Sequence, residues 1–168
     1  MALRTLEKYG SPILREKAKP VTDITEEIVV LAQDMLETMH AFSGIGLAGN
    51  QVGVPLRIIT VLHPETQEGV VVVNPEIVVM SAEKEVGEEG CLSIPEVYGK
   101  VERASQIVVR GWNLRGEEVE IKAQGLLARV FQHEIDHLNG ILFVDRLHPA
   151  KRLLLSSKLR KIAREGTW

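Results

Sequence analysis

His133, Glu134, Asp136 and His137 place two imidazoles and two carboxylates within five residues of one another. On a helix, residues four apart project from one face, one turn apart, so both histidines reach a single metal ion. Glu134 directly follows the first histidine. There a carboxylate stands beside the water that the metal activates without ligating the metal itself. H-E-x-x-H on a helix is therefore an arrangement for metal-assisted hydrolysis, with two ligands and a general base. Burying such a group of polar side chains is costly unless a strong partner such as a metal ion satisfies it.

The residues around the motif supply the helix. Leu126, Leu127, Val130, Phe131 and Leu138 extend the pattern at helical spacing, Gly125 opens the segment, and Asn139-Gly140 closes it as a C-terminal cap. Upstream, Asp23-Ile24-Thr25-Glu26 reads as a capping box for a helix with an apolar stripe at Ile28, Leu31, Ala32, Met35, Leu36 and Met39. A glycine-rich loop spans Gly44 to Gly53. Six β-rich runs follow: Leu56–Leu62, Gly69–Val73, Ile77–Val86, Val97–Val101, Gln106–Trp112 and Glu118–Ala123. His63-Pro64, Asn74-Pro75 and Asn113-Leu114-Arg115-Gly116 are the turns between them. After the metal helix, His148-Pro149 starts a last helix. The strands are too closely spaced for βαβ crossovers. The expected class is α+β: short antiparallel or mixed sheets packed around a central H-E-x-x-H helix, with an N-terminal and a C-terminal helix.

The 168 residues fit one domain, 1–168, with a sizeable core. A net charge of −3 gives no global basic field for DNA. No apolar run reaches membrane-spanning length, and the start, Met1 to Glu7, lacks the apolar region of a signal peptide. A single cysteine excludes an intramolecular disulfide. These features together predict a cytoplasmic protein.

A catalytic zinc-type site needs a third protein ligand. The pattern H-E-x-x-H-x-x-G-x-x-H is followed as far as Gly140 and fails at Phe143, which leaves Asp145, His148 and Glu165 as downstream candidates. The better candidate lies upstream in Glu89-Gly90-Cys91-Leu92-Ser93, because a thiolate with two histidines is a plausible three-ligand set.

Three segments together resemble the peptide deformylase family. Gly44-Ile45-Gly46-Leu47-Ala48-Gly49-Asn50-Gln51 is similar to its glycine-rich motif, Glu89 to Ser93 to its second motif, and Gln132 to His137 to its third. Tyr9 to Arg15 resembles the family's start. The resemblance implies removal of the formyl group from N-formylmethionine of nascent polypeptides. It implies one divalent metal ion on Cys91, His133 and His137, with Fe(II) expected in the cell and Zn, Ni or Co as alternatives. It makes Glu134 the general base, and the Gln51 amide and Leu92 backbone N–H the donors to the carbonyl oxygen. Glu89, Arg103 and Asp136 are expected behind the ligands, the carboxylates receiving histidine N–H groups and the arginine neutralising them. At Gly49 the family usually has alanine, so the loop is expected to be looser here.

A methionine side chain calls for an apolar pocket. Ile45, Leu126 and Val130 are candidate walls, with Arg129 lining the rim by its stem while its charge reaches water. Gly44 and Gly46 are placed to pair with an extended peptide. In the last helix, Leu153, Leu154 and Ile162 are expected to pack inward. Lys151, Arg152, Lys158, Arg160, Lys161 and Arg164 are then expected to face ribosomal RNA. The competing readings are an H-E-x-x-H endopeptidase, whose third ligand would lie downstream, and an inactive deformylase-like metal-binding protein.

Overall fold

The computed structural model describes residues 2–165; Met1 and residues 166–168, counted in the expected 1–168 domain, lie outside them. The described elements run α1 (Glu26–Ala41), β1 (Gly46–Ala48), β2 (Ile58–Leu62), β3 (Gly69–Met80), β4 (Lys84–Cys91), β5 (Ile94–Ala104), β6 (Gln106–Trp112), β7 (Glu118–Gln124), α2 (Gly125–Leu138) and α3 (Pro149–Glu165). Short 3-10 turns cover Pro12–Arg15, Gly49–Val52 and Phe143–Arg146. The class is α+β, as the pattern of runs implied. Five strands form an antiparallel sheet in the order β1-β2-β3-β6-β7, and β4 pairs with β5 as a separate hairpin. The parallel contact among the described residues is an isolated bridge between Lys19 and Leu56.

Helix α2 is the centre of the molecule. Its residues Leu127, Ala128, Phe131, Ile135 and Leu138 pack against Ile59, Val61, Val72, Val109 and Ala123 of the large sheet. Helix α1 buries Ile28, Leu31, Ala32, Met35 and Met39, most of them in a second cluster with Leu47 and Ile58. Both helices thus bury the stripe that their 3.6-residue period specifies.

Several boundaries differ from the sequence pattern. Helix α1 is capped by Thr25, whose side chain accepts from the Ile28 N–H, so Glu26 is the first helical residue rather than the third of a box begun at Asp23. Asn74-Pro75 is not a turn between strands. It is an irregularity within β3, where the register shifts between Val73 and Glu76 and Asn74 has φ of 52°. A bulge tolerates the missing proline N–H. The Asn74 amide ties it to Val21 N–H and C=O at 2.8 and 2.9 Å. The Ile77–Val86 run breaks at Ser81, whose hydroxyl donates to Glu83 O at 2.8 Å, and β4 starts at Lys84. Part of the glycine-rich loop is the short strand β1.

The N-terminal segment closes over the end of α2 and the β4–β5 turn. Tyr9 N–H donates to Ser93 O and Ala18 N–H to Leu138 O, each at 2.8 Å. Gly140, at φ of 75°, comes so close to this segment that a Cβ there would meet Arg15 O at 2.5 Å. Both facts require glycine at the position.

Helix α3 turns Ile162 inward as expected, but not Leu153 and Leu154. Leu159 is buried and Leu155 and Ile162 partly buried against Ile94, Val97 and Leu147, while Leu153 and Leu154 are 74% and 80% exposed. Residues 155, 159 and 162 share one face at helical spacing, and 153 and 154 do not belong to it.

Candidate metal centre and active site

The imidazoles of His133 and His137 leave α2 on one side, and β4 delivers Cys91 to the same point. Cys91 Sγ lies 3.3 Å from His137 Nε2, and the two Nε2 atoms are 3.2 Å apart. All three donor atoms fall within 4.8 Å of one another. Among the described residues no other group of histidine, cysteine and acidic side chains converges in this way. Sulfur and imidazole nitrogen donors in a three-ligand set suit a catalytic transition-metal or zinc ion, so the residues fit the metal that the motif implies.

Asp145 is held by Arg15 at 2.5 Å, by Arg152 at 3.0 Å and by the Leu142 N–H at 3.0 Å. His148 accepts the Ala150 N–H at 3.1 Å at the start of α3, and Glu165 is exposed at that helix's end. None of these downstream candidates is brought to the centre. At Phe143, where a third histidine would have been required, the ring stacks on His133 with centroids 6.1 Å apart.

A buried ionic network stands behind the histidines. Glu89 Oε1 lies 2.9 Å from His133 Nδ1, which turns Nε2 toward the centre. Arg103 grips Glu89 with two bonds of 2.9 Å and reaches Asp136 at 2.6 Å. Burial pushes the Glu89 carboxyl up, but its hydrogen bonds to Arg103 and His133 outweigh that and hold it well below the usual range. Burial and the neighbouring His133 hold His137 well below the usual range; burial also pushes His133 down, but Cys91, Glu134 and Glu89 outweigh it and hold His133 above that range. Asp136 was expected to receive a histidine N–H. Instead it is clamped between Arg103 and Arg146, the latter at 2.6 and 2.8 Å. His137 Nδ1 is buried without a partner.

Glu134 faces the centre from the same helix. It is buried, its Oε1 has no hydrogen-bond partner, and burial pushes its carboxyl up to about 7. A Cβ at Gly46 would fall on the Glu134 carboxylate, so β1 passes this close only because residue 46 is glycine. Gln51 is also buried. Its Oε1 accepts the Ala48 N–H at 3.0 Å, and its Nε2 points at Cys91 Sγ, 3.4 Å away, and at Ser93 Oγ, 3.1 Å away.

A cavity of about 560 Å³ opens over these groups. Gly44, Ile45, Gly46, Gln51, Glu89, Cys91, Leu92, Leu126, Arg129, Val130, His133 and Glu134 all line it. Arg129 departs from the expected rim cation. Its head is largely covered and donates to Glu89 Oε2, Val101 O and Glu85 O, each at 2.8 Å, and fastens the β4–β5 hairpin to α2. Strand β1 ends the large sheet, so its second edge faces away from β2 and is unpaired within that sheet.

Sequence reasoning passed over Ser93, Asn50 and Arg146. Asn50 Nδ2 donates to His137 O at 3.0 Å and so joins the glycine-rich motif to α2. Ser93 and Asn50 lie inside the quoted motifs, where their polarity was the available signal. Arg146 sits in a 3-10 turn with no periodic pattern to mark it.

Gly49 reverses its expectation. A Cβ there would meet Val54 O at 2.6 Å and Leu56 O at 2.5 Å, so the missing methyl is filled by backbone and the loop is tight. Gly49→Ala is expected to destabilise the fold by about 1–3 kcal/mol, as overpacking does. A urea titration checks this, and an unchanged midpoint would show that Val54–Leu56 yields without strain.

A family model described as polypeptide deformylase matches residues 3–153. The peptide deformylase of Thermotoga maritima is 50% identical over 157 residues, covering 93% of this chain and 94% of the relative. That of Halothermothrix orenii is 52% identical over 147 residues, covering 88% and 95%. The crystal structure of peptide deformylase from Thermus thermophilus superposes with a TM-score of 0.91 at 39% identity, covering 99% of this chain and all of that one. With the matched model spanning most of its length and with these relatives, the chain belongs to the polypeptide deformylase family.

Proposed function

We infer that this chain is a metal-dependent hydrolase that removes the formyl group from N-formylmethionine of nascent polypeptides and releases formate. The observation that carries this reading is the convergence of Cys91 Sγ, His133 Nε2 and His137 Nε2 beside an unpartnered, buried Glu134 oxygen. An endopeptidase of the same motif needs a downstream ligand, and Asp145, His148 and Glu165 are engaged or lie elsewhere.

Cys91, His133 and His137 would hold the metal, Fe(II) in the cell by this reading, with Zn, Ni or Co able to take its place. When bound, it supplies Lewis-acid polarisation and acidifies water at neutral pH. Glu134 takes the proton from the attacking water and gives it to the departing amine as the formyl C–N bond breaks. A carboxyl near pH 7 suits a group that must do both. Gln51 Nε2 and the Leu92 N–H donate to the oxygen that gains charge. Gln51 is held by Ala48 and Ser93, and the Nε2–H that points at Cys91 Sγ in the free site is the one that turns to this oxygen. Ile45, Leu126 and Val130 wall the methionine side chain, and Gly44 and Gly46 pair with the extended peptide along the open side of β1. Residues 1–168 act as one catalytic domain in the cytoplasm; among the described residues no helix is long and apolar enough to cross a membrane.

The test is formate release from formyl-Met peptides, with metal content measured anaerobically. Cys91→Ser should lose the metal, and a variant that keeps it would place the third ligand elsewhere. Cys91 is the sole cysteine, so no protein thiol resolves its oxidation. The iron-loaded enzyme should therefore lose activity in air much faster than zinc- or nickel-loaded enzyme. Equal half-lives in air would contradict this.

Ribosome contact by α3 is also part of this reading. Arg160, Lys161 and Arg164 are exposed there, with Leu153 and Leu154 on the same uncovered surface. Contact of this kind is salt-sensitive, since phosphate neutralisation releases counterions. Replacing these three cations by glutamine should reduce co-sedimentation with ribosomes at low salt without changing hydrolysis of short peptides. Equal pelleting of variant and wild type would reduce the helix to a solvated face.

A further inference from the structure

Four non-glycine residues among those described have left-handed backbones: Ser43, Gln67, Asn74 and Glu96. Two of them, Ser43 and Glu96, line the cavity over the metal centre. Left-handed backbone in a residue with a Cβ persists where surrounding contacts impose it, and such residues gather at functional sites. Glu96, at φ of 63°, sits between Pro95 and Val97 within β5. Pro95, Glu96 and Tyr98 line the cavity and are all exposed, whereas His133 and Glu134, which also line it, are buried. The three residues therefore form a lip at the mouth.

Glu96 lies at the register shift of the β4–β5 pairing between Glu89 and Cys91, where a left-handed residue is at home, and another element holds this bulge from outside. The Lys158 ammonium of α3 donates to the backbone carbonyl of Glu96. One residue further along α3, Leu159 is buried against Ile94 and Val97, the residues that bracket Pro95 and Glu96. The lip also touches the metal-binding strand: a Cβ at Gly90 would meet the Tyr98 ring at 2.7 Å, so that ring lies over the residue before Cys91. A charge-assisted bond is stronger than a neutral one and suits the task of holding a strained peptide unit. Lys158 is thereby taken from the set of cations that were expected to face RNA.

We propose that Lys158 is a positioning residue for substrate: from α3 it holds the Glu96 carbonyl and so sets the Pro95–Tyr98 lip against the peptide that follows the formylmethionine. The inference rests on the deformylase reading, which places formylmethionine at the buried base and the chain beyond it at the mouth. Lys158 touches no reacting atom. Its loss relaxes the lip and weakens binding of longer substrates while leaving the chemistry intact.

The test compares formyl-methionine amide with a formyl-Met tetrapeptide on the metal-loaded enzyme. Lys158→Met should raise KM for the tetrapeptide roughly three- to tenfold, the scale of one exposed hydrogen bond lost. It should leave kcat for the tetrapeptide and kcat/KM for the amide unchanged. Lys158→Arg should restore the tetrapeptide KM. An unchanged tetrapeptide KM in Lys158→Met would overturn the proposal. So would an equal loss on both substrates that arginine does not rescue, which would make the contact merely structural. Failure of the deformylase reading is distinct, because then wild-type enzyme releases formate from neither substrate.

Discussion

Replacing Glu134 with alanine leaves the metal in place and lowers kcat for formate release by about 10²- to 10⁴-fold, the contribution of a positioned general acid–base. Metal retention follows from the donor set, which comprises Cys91, His133 and His137 and omits Glu134. The loss follows from burial. Oε1 has no protein partner, and β1 passes the carboxylate so closely that Gly46 has no room for a Cβ. No nearby side chain substitutes for it. Glu134→Gln separates shape from chemistry, since it keeps the volume and loses the base; it should lose nearly as much as alanine. Metal content per chain and formate release, measured on the same samples, decide the matter. Near-normal turnover in either variant would remove Glu134 from the proton-transfer role.

Arg103→Met should be the most destabilising single change away from the ligands. Arg103 is 5% exposed and bonds two buried carboxylates, Glu89 and Asp136. Removing one partner of a buried ion pair costs about 3–5 kcal/mol because the other charge is left uncompensated. For a domain of this size that lowers Tm by roughly 6–20 °C. Arg129 and Arg146 remain on Glu89 and Asp136 and keep the loss from exceeding that range. Arg103→Lys should recover only part of it, since an ammonium does not reproduce the guanidinium fork. Metal affinity should fall as well, because Glu89 orients His133. Calorimetry checks the first effect and competition with a chromogenic chelator the second. A Tm within about 2 °C of wild type would show that the neighbouring arginines neutralise the network unaided.

The legible parts of this fold are those in which local pattern and tertiary role coincide. Helix α2 was readable because its apolar contacts and its histidines recur at one helical period, and Gly125 and Asn139-Gly140 stand at its ends. Cys91 was readable through its motif, since a lone cysteine has no spacing of its own. Where two faces compete, pattern fails. Helix α3 has leucines at 153, 154, 155 and 159, and only the position of β5 selects 155 and 159. Long cations are equally silent. Arg129 and Arg146 reach their carboxylate partners over 40 and 10 residues, and nothing local distinguishes them from solvated cations. Gly49 misled because a missing methyl reads as slack until the Val54 and Leu56 carbonyls are seen to fill it.

The closure of the N-terminal segment over α2 bears on the order in which the enzyme is made. Ala18 bonds to Leu138, and Arg15 lies against Gly140, so segments emerging early await partners that emerge late. At about 5–20 residues per second, roughly ten seconds separate the two on the ribosome. During that interval Gln51 and Cys91 have been synthesised without the histidines of α2, and the early segment remains an unpartnered tail. The enzyme is thus inert as a growing chain until the catalytic helix docks.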